Sequence, residues 1–260
     1  MKRFADKVVI VTGAGSGIGA GIARRFLEEG AYVVLNGRRQ QKLHDTLNGY
    51  NVDRGLIYAG DVSDEAFVRQ LIADTITRFG KLDVVVNNAG SGFFGAFEEH
   101  TTEMWRNTMA VNVDAVYFIS REALPHLLKT RGSIINLSSA SGLGGDWGMS
   151  AYNAAKGAVT NFTRALALEY GSRGVRVNAV APSFTATDAT ADLVKNAAIV
   201  SAFADRMPLG RPAMPADIAG VVAFLASSDA AFVNGAILPV DGGVYASNGQ
   251  PNFLALMHAA

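Results

Sequence analysis

The sequence predicts an α/β fold with a doubly wound, seven-stranded parallel sheet and helices on both faces. Short continuous apolar runs alternate with longer amphipathic segments, which is the pattern of βαβ units. The strand-like runs are apolar at consecutive positions, as in strands that are buried on both faces. A glycine-rich turn joins the first run to the first amphipathic segment. These observations favour a parallel sheet over an antiparallel one.

Seven strands are predicted at residues 8–11, 32–35, 55–58, 82–86, 133–137, 175–180 and 236–240. Helices are predicted between them at residues 17–29, 39–48, 64–79, 102–130, 150–171 and 215–227. Pro215 suits a first helical turn because its missing N–H has no intrahelical partner there. Crossovers between parallel strands are right-handed, so the elements wind a sheet covered by helices on both sides.

The chain of 260 residues is predicted to form one domain over residues 1–260. No linker or low-complexity tract interrupts the alternation of strands and helices. Residues 183–214 lack clean periodicity and contain Pro208 and Pro212. An irregular stretch of this length in a compact domain is often a lid or a binding loop, so a lid is predicted over 183–214.

Composition excludes several classes of function. Lys and Arg total 23 and Asp and Glu total 23, so no charge footprint for nucleic acid or an anionic membrane is expected. Cysteine is absent, which fits a reducing compartment such as the cytoplasm. The four histidines are scattered, so no metal site is expected. No apolar stretch has the length of a signal-peptide core or a membrane span.

The glycine-rich turn at residues 12–19 reads Thr-Gly-Ala-Gly-Ser-Gly-Ile-Gly. Glycines let the backbone approach a pyrophosphate closely, and the following helix N-terminus offers free N–H groups and a positive dipole end. A glycine-rich stretch alone indicates only a turn, but its place between a strand and a helix predicts dinucleotide binding. The residues predicted to contact the cofactor here are Gly13, Ser16, Gly17, Ile18 and Gly19.

The segment after the second strand predicts which dinucleotide binds. An acid about 20 residues beyond the glycines binds the ribose 2′-hydroxyl of NAD, but residues 36–39 read Asn-Gly-Arg-Arg. A guanidinium can donate two hydrogen bonds to a 2′-phosphate, whereas a carboxylate would repel that phosphate. Arg38, with Arg39 as a helper, therefore favours NADP(H). NAD(H) is the alternative, with both arginines solvated or one of them stacked on adenine.

The next two strand ends extend the predicted cofactor site. Asp61 and Val62 follow the third strand and are predicted at the adenine edge. Asn88, Ala89 and Gly90 follow the fourth strand. Ligands of open α/β sheets bind outside the carboxyl ends of the strands, which is where both segments are expected.

Tyr152 and Lys156 are four residues apart, so on a helix over 150–171 their side chains share one face. A cation beside a phenol favours the phenolate and lowers its pKa, which suits proton transfer near neutral pH. Ser139 comes from the end of a separate strand, where its hydroxyl would hold a substrate oxygen beside the phenol. The three residues predict an acid/base site for a carbonyl or an alcohol. A half-buried ring beside a solvated amine is the plain alternative.

Together with Asp61, residues 87–90 and Asn112, these motifs resemble the short-chain dehydrogenase/reductase family over essentially the whole chain. The resemblance implies a Rossmann-like domain, nicotinamide-dependent chemistry and a homotetramer. It implies that Tyr152 is the general acid in reduction and the general base in oxidation, and that Ser139 positions the carbonyl oxygen. It implies that Lys156 binds the nicotinamide ribose and lowers the tyrosine pKa. Asn112 would hold a water that links Lys156 to solvent.

One segment departs from the family pattern. Family members commonly have Pro-Gly after the sixth strand, followed by a threonine that contacts the nicotinamide amide. Here Pro182 is followed by Ser183, and Thr187 lies four residues further on. Serine fits this turn if its φ is negative. Pro182 and Thr187 are therefore still expected to contact the cofactor.

Two loops are similar to family members that act on acetoin and 2,3-butanediol, namely residues 141–148 and the tail at 240–251. Those relatives often carry an acid where Arg38 stands here, so shared loops need not mean a shared substrate. The predicted pocket wall is mostly apolar, which favours a small ketone, hydroxyketone, secondary alcohol or diol. Its candidates are Phe93, Phe94, Leu143, Trp147, Met149, Phe184, Phe203 and Met207.

Two other functions stay open. A 3-oxoacyl-[acyl-carrier-protein] reductase would use Arg131 and Arg173 as part of a basic surface for an acidic carrier protein. A non-catalytic nucleotide-sensing module would keep the fold without needing the acid/base residues. In relatives the helix at 150–171 packs against its copy in a partner subunit, so the same is expected here. The apolar tail at 253–257 is expected either to dock on a neighbouring subunit or to fray.

Overall fold

Seven parallel strands form one sheet in the computed structural model, which describes residues 2–258. The strand order is β3-β2-β1-β4-β5-β6-β7, and every neighbouring pair is parallel. The predicted α/β class and all seven predicted strands are confirmed, with ends that shift by two residues at most. The strands are β1 Val8–Val11, β2 Tyr32–Gly37, β3 Gly55–Ala59, β4 Val84–Asn87, β5 Ser133–Leu137, β6 Arg176–Pro182 and β7 Ile237–Val240.

The helices cover both faces of this sheet. The continuous apolar runs have a simple explanation, because alternate residues of one strand enter two separate cores. Val9 and Val11 pack with the helices at residues 17–28 and 215–226, whereas Val8 and Ile10 pack with those at 65–79 and 115–130 on the other face. The helices are α1 Gly17–Glu28, α2 Gln40–Leu47, α3 Glu65–Phe79, α4 Thr102–Met109, α5 Ala115–Thr130, α6 Ser150–Gly171, α7 Ala191–Lys195, α8 Ala197–Ala204, α9 Pro215–Ala226 and α10 Phe253–His258.

The strand order reverses between β2 and β4, which lie on either side of β1. Val11 at the end of β1 is level with Leu35 of β2 and with Val86 of β4. The connections that leave these three strands at their carboxyl ends therefore diverge to opposite faces of the sheet. A crevice opens at such a switch point, and ligands of doubly wound sheets bind there.

The segment predicted as one helix over 102–130 is interrupted. A π-helical turn, Ala110–Asp114, separates α4 from α5. The chain stays helical through this turn, because Met109, Ala110 and Ala115 all have right-handed helical dihedral angles. Single π turns inside α-helices are rare and are frequent at functional sites. Sequence periodicity does not reveal a turn that is widened by one residue.

The predicted lid at 183–214 is more regular than expected. It contains α7, α8 and a 3₁₀ turn, Asp188–Thr190, and its two ends meet where Thr185 pairs with Ala213. The Phe184 ring stacks on Phe203 at 4.4 Å between ring centroids. The lid therefore forms a small helical layer that is fixed at both of its ends.

Two further features concern the surface of the molecule. Within residues 2–258 no helix combines the length and the apolar character that a bilayer crossing requires. The terminal helix α10 exposes Phe253, Leu254, Leu256 and Met257 to solvent. The predicted apolar tail is therefore a short helix in this chain.

Candidate active site

The glycine-rich turn ends at the N-terminus of α1, where Ser16 is the N-cap residue. Ser16 precedes the helix in an extended conformation, and its side chain makes no capping hydrogen bond. The first helical turn also contains no acidic residue. The first N–H groups of a helix need partners from outside the helix, and they carry the positive end of its dipole. This helix end therefore presents donors to an anion at the carboxyl edge of the sheet.

Two of the glycines are required by space or by backbone conformation. Gly13 has a φ of +64°, which L side chains rarely adopt. A side-chain carbon on Gly19 would lie 2.2 Å from the Gly13 carbonyl oxygen and 2.4 Å from Asn88 Nδ2. The turn is thus packed directly against the end of β4. A larger residue at position 19 would push the turn away from the helix N-terminus.

Thr12 and Asn88 join the glycine-rich turn to the end of β4. Asn88 Nδ2 donates to the Thr12 carbonyl oxygen at 2.8 Å. The Thr12 hydroxyl accepts from the backbone N–H of Asn88 at 3.0 Å and from that of Ala89 at 2.9 Å. Two of the predicted cofactor segments, 12–19 and 88–90, therefore form one rigid unit.

The lid reaches the same turn through Thr187. A side-chain carbon on Gly17 would lie 3.0 Å from the Thr187 methyl carbon. Pro182 ends β6, and Ser183 does not have a positive φ; its hydroxyl donates to the Asp241 carbonyl oxygen at 3.0 Å. The condition for replacing the usual glycine is thus met. The structure places Thr187 beside the turn that the sequence predicts as the pyrophosphate site.

Arg38 and Arg39 follow β2 on the other side of the glycine-rich turn. Both side chains are exposed, and within residues 2–258 neither has an ion-pair partner. Asn36 stands near the position of the usual acid, and its amide instead donates to the Tyr58 carbonyl oxygen of β3 at 3.0 Å. A side-chain carbon on Gly37 would lie 3.8 Å from the Gly15 backbone nitrogen. The arginines therefore leave the sheet beside the turn, without a nearby carboxylate on this strand end.

Asp61 and Val62 differ in their exposure. Val62 is buried in the core that contains α3, and Asp61 is exposed next to it. Asp61 Oδ1 accepts from the backbone N–H of Ser63 at 2.9 Å and from its hydroxyl at 2.8 Å. The carboxylate is therefore held in a tight local turn at the carboxyl end of β3.

The structure brings Tyr152 and Lys156 together on α6, as their spacing predicts. Lys156 is only 4% exposed, and its Nζ donates to the Leu137 carbonyl oxygen at 2.8 Å, at the end of β5. The same nitrogen lies 5.5 Å from the centre of the Tyr152 ring. Gly92 lies against that ring, since a side-chain carbon on it would be 2.9 Å from Tyr152 Cδ2. The site is enclosed between α6 and the segment that follows β4.

Asn112 lies in the π turn and is fully buried. Its Nδ2 donates to the Ser91 carbonyl oxygen at 2.6 Å and to that of Thr108 at 2.8 Å. Its Oδ1 has no hydrogen-bond partner within residues 2–258. A side-chain carbon on Gly90 would be 2.7 Å from this oxygen and 3.3 Å from Lys156 Nζ, so both groups face one small space. A buried acceptor without a partner is costly, and an ordered water is the usual remedy.

The pKa of Tyr152 corrects one expectation. Burial raises the pKa of the Tyr152 phenol, a hydrogen bond with Ser139 lowers it, and the Asp146 carboxylate raises it further. The net direction is upward, whereas the neighbouring lysine was expected to lower it. Burial lowers the pKa of Lys156 from its usual value of 10.5 to about 8. Desolvation is the largest cause of both shifts, and it favours the neutral form of each group in this enclosed site.

Sequence reasoning did not find two polar residues behind Ser139. The Ser139 hydroxyl donates to Ser141 Oγ at 3.1 Å, and the Ser141 hydroxyl in turn makes a short hydrogen bond to the Asp146 carboxylate. Both residues belong to the loop at 141–148 that carries the family likeness. Nothing in their spacing shows that the loop folds back onto the serine. Their contact depends on the tertiary path of the loop.

The predicted pocket wall is divided between the interior and the surface. Met207 is buried and packs beside Gly242, whereas Phe94 is 81% exposed and Trp147 is 90% exposed. The Gly95 N–H donates to the Gly148 carbonyl oxygen at 3.0 Å, which joins the loops that carry these two aromatic rings. Exposed aromatic side chains thus stand at the mouth of the site. Across residues 2–258, no three His, Asp or Glu side chains gather in a way that could hold a metal ion.

Comparison with known proteins gives likenesses over nearly the whole chain. The family described as enoyl-(acyl carrier protein) reductase matches residues 13–245. Meso-2,3-butanediol dehydrogenase of Serratia marcescens is 46% identical over 252 residues, which cover 97% of this chain and 100% of the relative. L-fucose dehydrogenase of Oryctolagus cuniculus is 41% identical over 259 residues, which cover 96% of this chain and 89% of the relative.

A solved structure gives the same result in three dimensions. It is described as an NAD(P)-dependent gluconate 5-dehydrogenase from Beutenbergia cavernae with NADP bound at low occupancy. It superimposes with a TM-score of 0.87 at 35% identity, covering 95% of this chain and 99% of that one. At this identity and coverage, the likeness extends from the fold to the family.

Proposed function

Because this chain belongs to the short-chain dehydrogenase/reductase family, whose members are NAD(P)-dependent oxidoreductases, we propose that it oxidises small secondary alcohols or diols and reduces the matching ketones. NADP(H) is the proposed cofactor, and NAD(H) is the alternative. The observation that carries the proposal is the enclosed group of Ser139, Tyr152 and Lys156 beside a phosphate-binding helix end. A nucleotide-sensing module would have no use for this group.

The proposed cofactor site follows from the groups that the fold leaves available. The N–H groups after Ser16 would hold the pyrophosphate, with Gly13, Gly17, Ile18 and Gly19 shaping the turn and Thr187 closing it. Arg38 and Arg39 would hold the 2′-phosphate. Asp61 and Val62 would border the adenine. Asn88, Ala89, Gly90, Pro182 and Lys156 would border the nicotinamide riboside. When bound, the cofactor supplies or accepts a hydride.

The proton chemistry belongs to the chain's own side chains. In reduction, the hydroxyl groups of Tyr152 and of Ser139, turned from Ser141 to the substrate, would stabilise the developing negative charge on the substrate oxygen. Tyr152 would then donate its proton, and in oxidation it would accept one. The raised pKa of Tyr152 keeps the phenol protonated at neutral pH, so the proton that reduction consumes is in place. Asn112 Oδ1 would hold a water beside Lys156, through which the phenol regains its proton.

Replacing the phenol tests the proposed mechanism. Tyr152→Phe keeps the ring but removes the proton, so we expect turnover to fall by a factor of about 10³, the usual worth of a general acid. NADPH affinity, measured by fluorescence titration, should change by less than about threefold, which is no more than the net energy of one typical hydrogen bond. Tyr50→Phe is the matched control, because its hydroxyl contacts Glu28 on the surface. Unchanged turnover in Tyr152→Phe would remove Tyr152 from the mechanism.

A second substitution tests the cofactor preference. Arg38→Ala should raise the KM for NADPH by a factor of about 10 to 100, the range expected for a lost charge-assisted hydrogen bond. The KM for NADH should change little, because NADH has no 2′-phosphate. Arg69→Ala is the control, since this arginine pairs with Glu65 on the surface of α3. Equal effects on the two cofactors would contradict the preference for NADP(H).

The carrier-protein alternative has weaker support from the placement of its two arginines. Arg131 directly precedes β5, and Arg173 precedes β6. Both therefore lie at the amino edge of the sheet, opposite the site. Arg173 also stacks over the Tyr170 ring at 5.4 Å. A carrier protein held at this edge would lie on the opposite side of the sheet from Tyr152.

We further propose a homotetramer in which α6 packs against its copy, and a cytoplasmic location. The outer side of α6 exposes Ala154, Asn161, Ala165 and Leu168 at helical spacing. Leu168 is 84% exposed, which is unusual for a large apolar side chain in the middle of a helical face. A second copy of the same helix is a partner that would cover it. The lack of cysteine supports a reducing compartment.

A further inference from the structure

Asp146 is held against the site by its own loop and by α6. Its backbone N–H donates to Asn153 Oδ1 at 3.0 Å. One carboxylate oxygen, Oδ2, accepts the short hydrogen bond from Ser141, which is itself buried. Ser141 Oγ also accepts from Ser139 at 3.1 Å. A continuous chain of hydroxyl and carboxylate groups therefore runs from the reacting end of the pocket to its mouth.

The other carboxylate oxygen of Asp146 is uncommitted. Oδ1 accepts no hydrogen bond, and no cation pairs with this carboxylate, in the part of the chain between residues 2 and 258. The residue is exposed, so Oδ1 is not enclosed by the protein and is free to accept a hydrogen bond from a ligand. The negative charge is close enough to act on Tyr152, where it favours the protonated phenol. A fixed acceptor with a full charge thus stands beside the acid/base group.

We propose that Asp146 selects the substrate: its carboxylate accepts a hydrogen bond from a second hydroxyl group, adjacent to the reacting carbon, and repels substrates that carry a carboxylate there. The inference rests on the proposed function, because it assigns the second oxygen of the substrate that Ser139 and Tyr152 act on. The substrate class that fits is the neutral vicinal diol and its hydroxyketone.

The spacing of the groups from Ser139 to Asp146 agrees with a vicinal diol or its hydroxyketone. Ser139 Oγ would hold the reacting oxygen, and Ser141 Oγ lies one hydrogen-bond distance further on, at 3.1 Å. The two oxygens of a vicinal diol are separated by only two carbons, so in the gauche form they lie about one hydrogen-bond distance apart. A substrate bridging from Ser139 toward Asp146 would therefore present its second hydroxyl to Oδ1. A 2-oxo acid in the same pose would place one anion against another.

The test compares substrates that share a four-carbon skeleton. Butan-2-one has no second oxygen, 3-hydroxybutan-2-one has a hydroxyl, and 2-oxobutanoate has a carboxylate. Asp146→Ala removes the acceptor and the charge, whereas Asp146→Asn keeps an acceptor of the same shape and removes only the charge. Asp53→Asn is the control, because Asp53 is exposed at the amino end of β3, on the opposite edge of the sheet.

We expect Asp146→Ala to lower kcat/KM for 3-hydroxybutan-2-one by a factor of about 10, the worth of one hydrogen bond to a charged group. The ratio of this value to the value for butan-2-one should fall about as much, because butan-2-one never makes this hydrogen bond, whereas any effect through Ser139 and Tyr152 is common to both substrates. Asp146→Asn should raise kcat/KM for 2-oxobutanoate by a factor of about 10, since like-charge repulsion is lost. A parallel loss on butan-2-one and 3-hydroxybutan-2-one in Asp146→Ala would overturn the proposal, as would unchanged rejection of 2-oxobutanoate in Asp146→Asn.

A binding measurement keeps this inference separate from the proposed function. Calorimetric titration with butane-2,3-diol and with butan-2-ol, at saturating NADPH, gives the diol preference in a complex that cannot turn over, because neither the alcohol nor the reduced cofactor can accept a hydride. We expect the wild type to prefer the diol by a factor of about 10 and Asp146→Ala to lose that preference. Equal affinities in the wild type would refute the role of Asp146. A diol preference without turnover in the kinetic assays would support it and would instead count against the proposed reaction.

Discussion

At the scale of single residues, Lys156 carries an ammonium group into the interior. Its only polar contact within residues 2–258 is the Leu137 carbonyl oxygen, and burial lowers its pKa to about 8. A lowered lysine pKa means that folding opposes the charged form. Because the shift starts from 10.5, the cost at neutral pH is about 3 kcal/mol. A residue kept at this cost is more readily explained by function than by stability.

Lys156→Met should therefore stabilise the fold while abolishing turnover. The buried charge destabilises the wild type below pH about 8, and this cost disappears as the pH rises toward 10.5. We expect a gain of about 1–3 kcal/mol in the free energy of unfolding at pH 7, measured by urea denaturation, because the lost hydrogen bond offsets part of the relief.

The pH dependence distinguishes this mechanism from a general gain in apolar packing. The gain of Lys156→Met should shrink between pH 8 and 10.5, as the wild-type lysine becomes neutral. Lys195→Met is the control, because Lys195 is exposed on the lid. A variant that is less stable than the wild type at pH 7 would show that the buried charge is not the dominant cost.

At the scale of elements, α6 is attached to the sheet by buried polar contacts that lie below the site. Asn136 of β5 donates to the Thr163 hydroxyl of α6 at 2.9 Å and accepts from Asn87 of β4 at 2.8 Å. Ser138 and Thr160 share a second hydrogen bond at 2.6 Å, one turn closer to the site. These directional contacts fix the rotation of α6, and hence where Tyr152 points, more strictly than apolar packing would.

Thr163→Val tests this attachment. Valine has nearly the same shape but cannot accept the hydrogen bond, so the Asn136 amide would be left buried without a partner. We expect a loss of about 1–3 kcal/mol in the free energy of unfolding, measured by urea denaturation. Thr102→Val, at an exposed position of α4, should change stability by less than about 0.5 kcal/mol. A loss of similar size in both variants would indicate a propensity effect rather than the buried contact.

The sequence predicts elements better than it predicts the contacts between them. Strand positions can be predicted from apolar runs whose side chains enter two cores. The proximity of Tyr152 and Lys156 can be predicted from their spacing of four residues on a helix. The π turn that positions Asn112 cannot be predicted from hydrophobic periodicity, because it adds only a single residue to the helix. The contact of Ser141 with Asp146, and the raised pKa of Tyr152, both depend on burial that only the folded loops create.

At the scale of the whole molecule, the open question is what covers the outer side of α6. Leu168 and Ala165 are exposed there, and Tyr117 of α5 lies 6.5 Å from Phe162 at the border of this surface. Soluble proteins seldom leave such a surface uncovered. A two-fold axis beside α6 would bury the same residues from both copies, which is how symmetric oligomers form their interfaces.

Leu168→Glu should therefore dissociate the proposed tetramer. A carboxylate facing its own copy across a two-fold axis adds like-charge repulsion to the loss of an apolar contact. We expect the wild type to sediment as a tetramer in analytical ultracentrifugation and the variant to sediment as a smaller species. Glu169→Gln, one position away on the same helix, is the control. A monomeric wild type would rule out the tetramer outright.

The widened turn at Ala110–Asp114 positions Asn112, so the number of residues in this helical segment matters for the site. A π turn holds one residue more than a regular helix needs over the same path. Deleting any one residue there would let the two halves merge into an uninterrupted α-helix. The two halves would keep their directions, but side chains inside the former turn would change the face that they present by up to roughly 100°, the angle that one residue spans. A homologue with the shorter segment would need another residue to supply the acceptor that Asn112 provides, although its motifs on either side would align once one gap is placed at this turn.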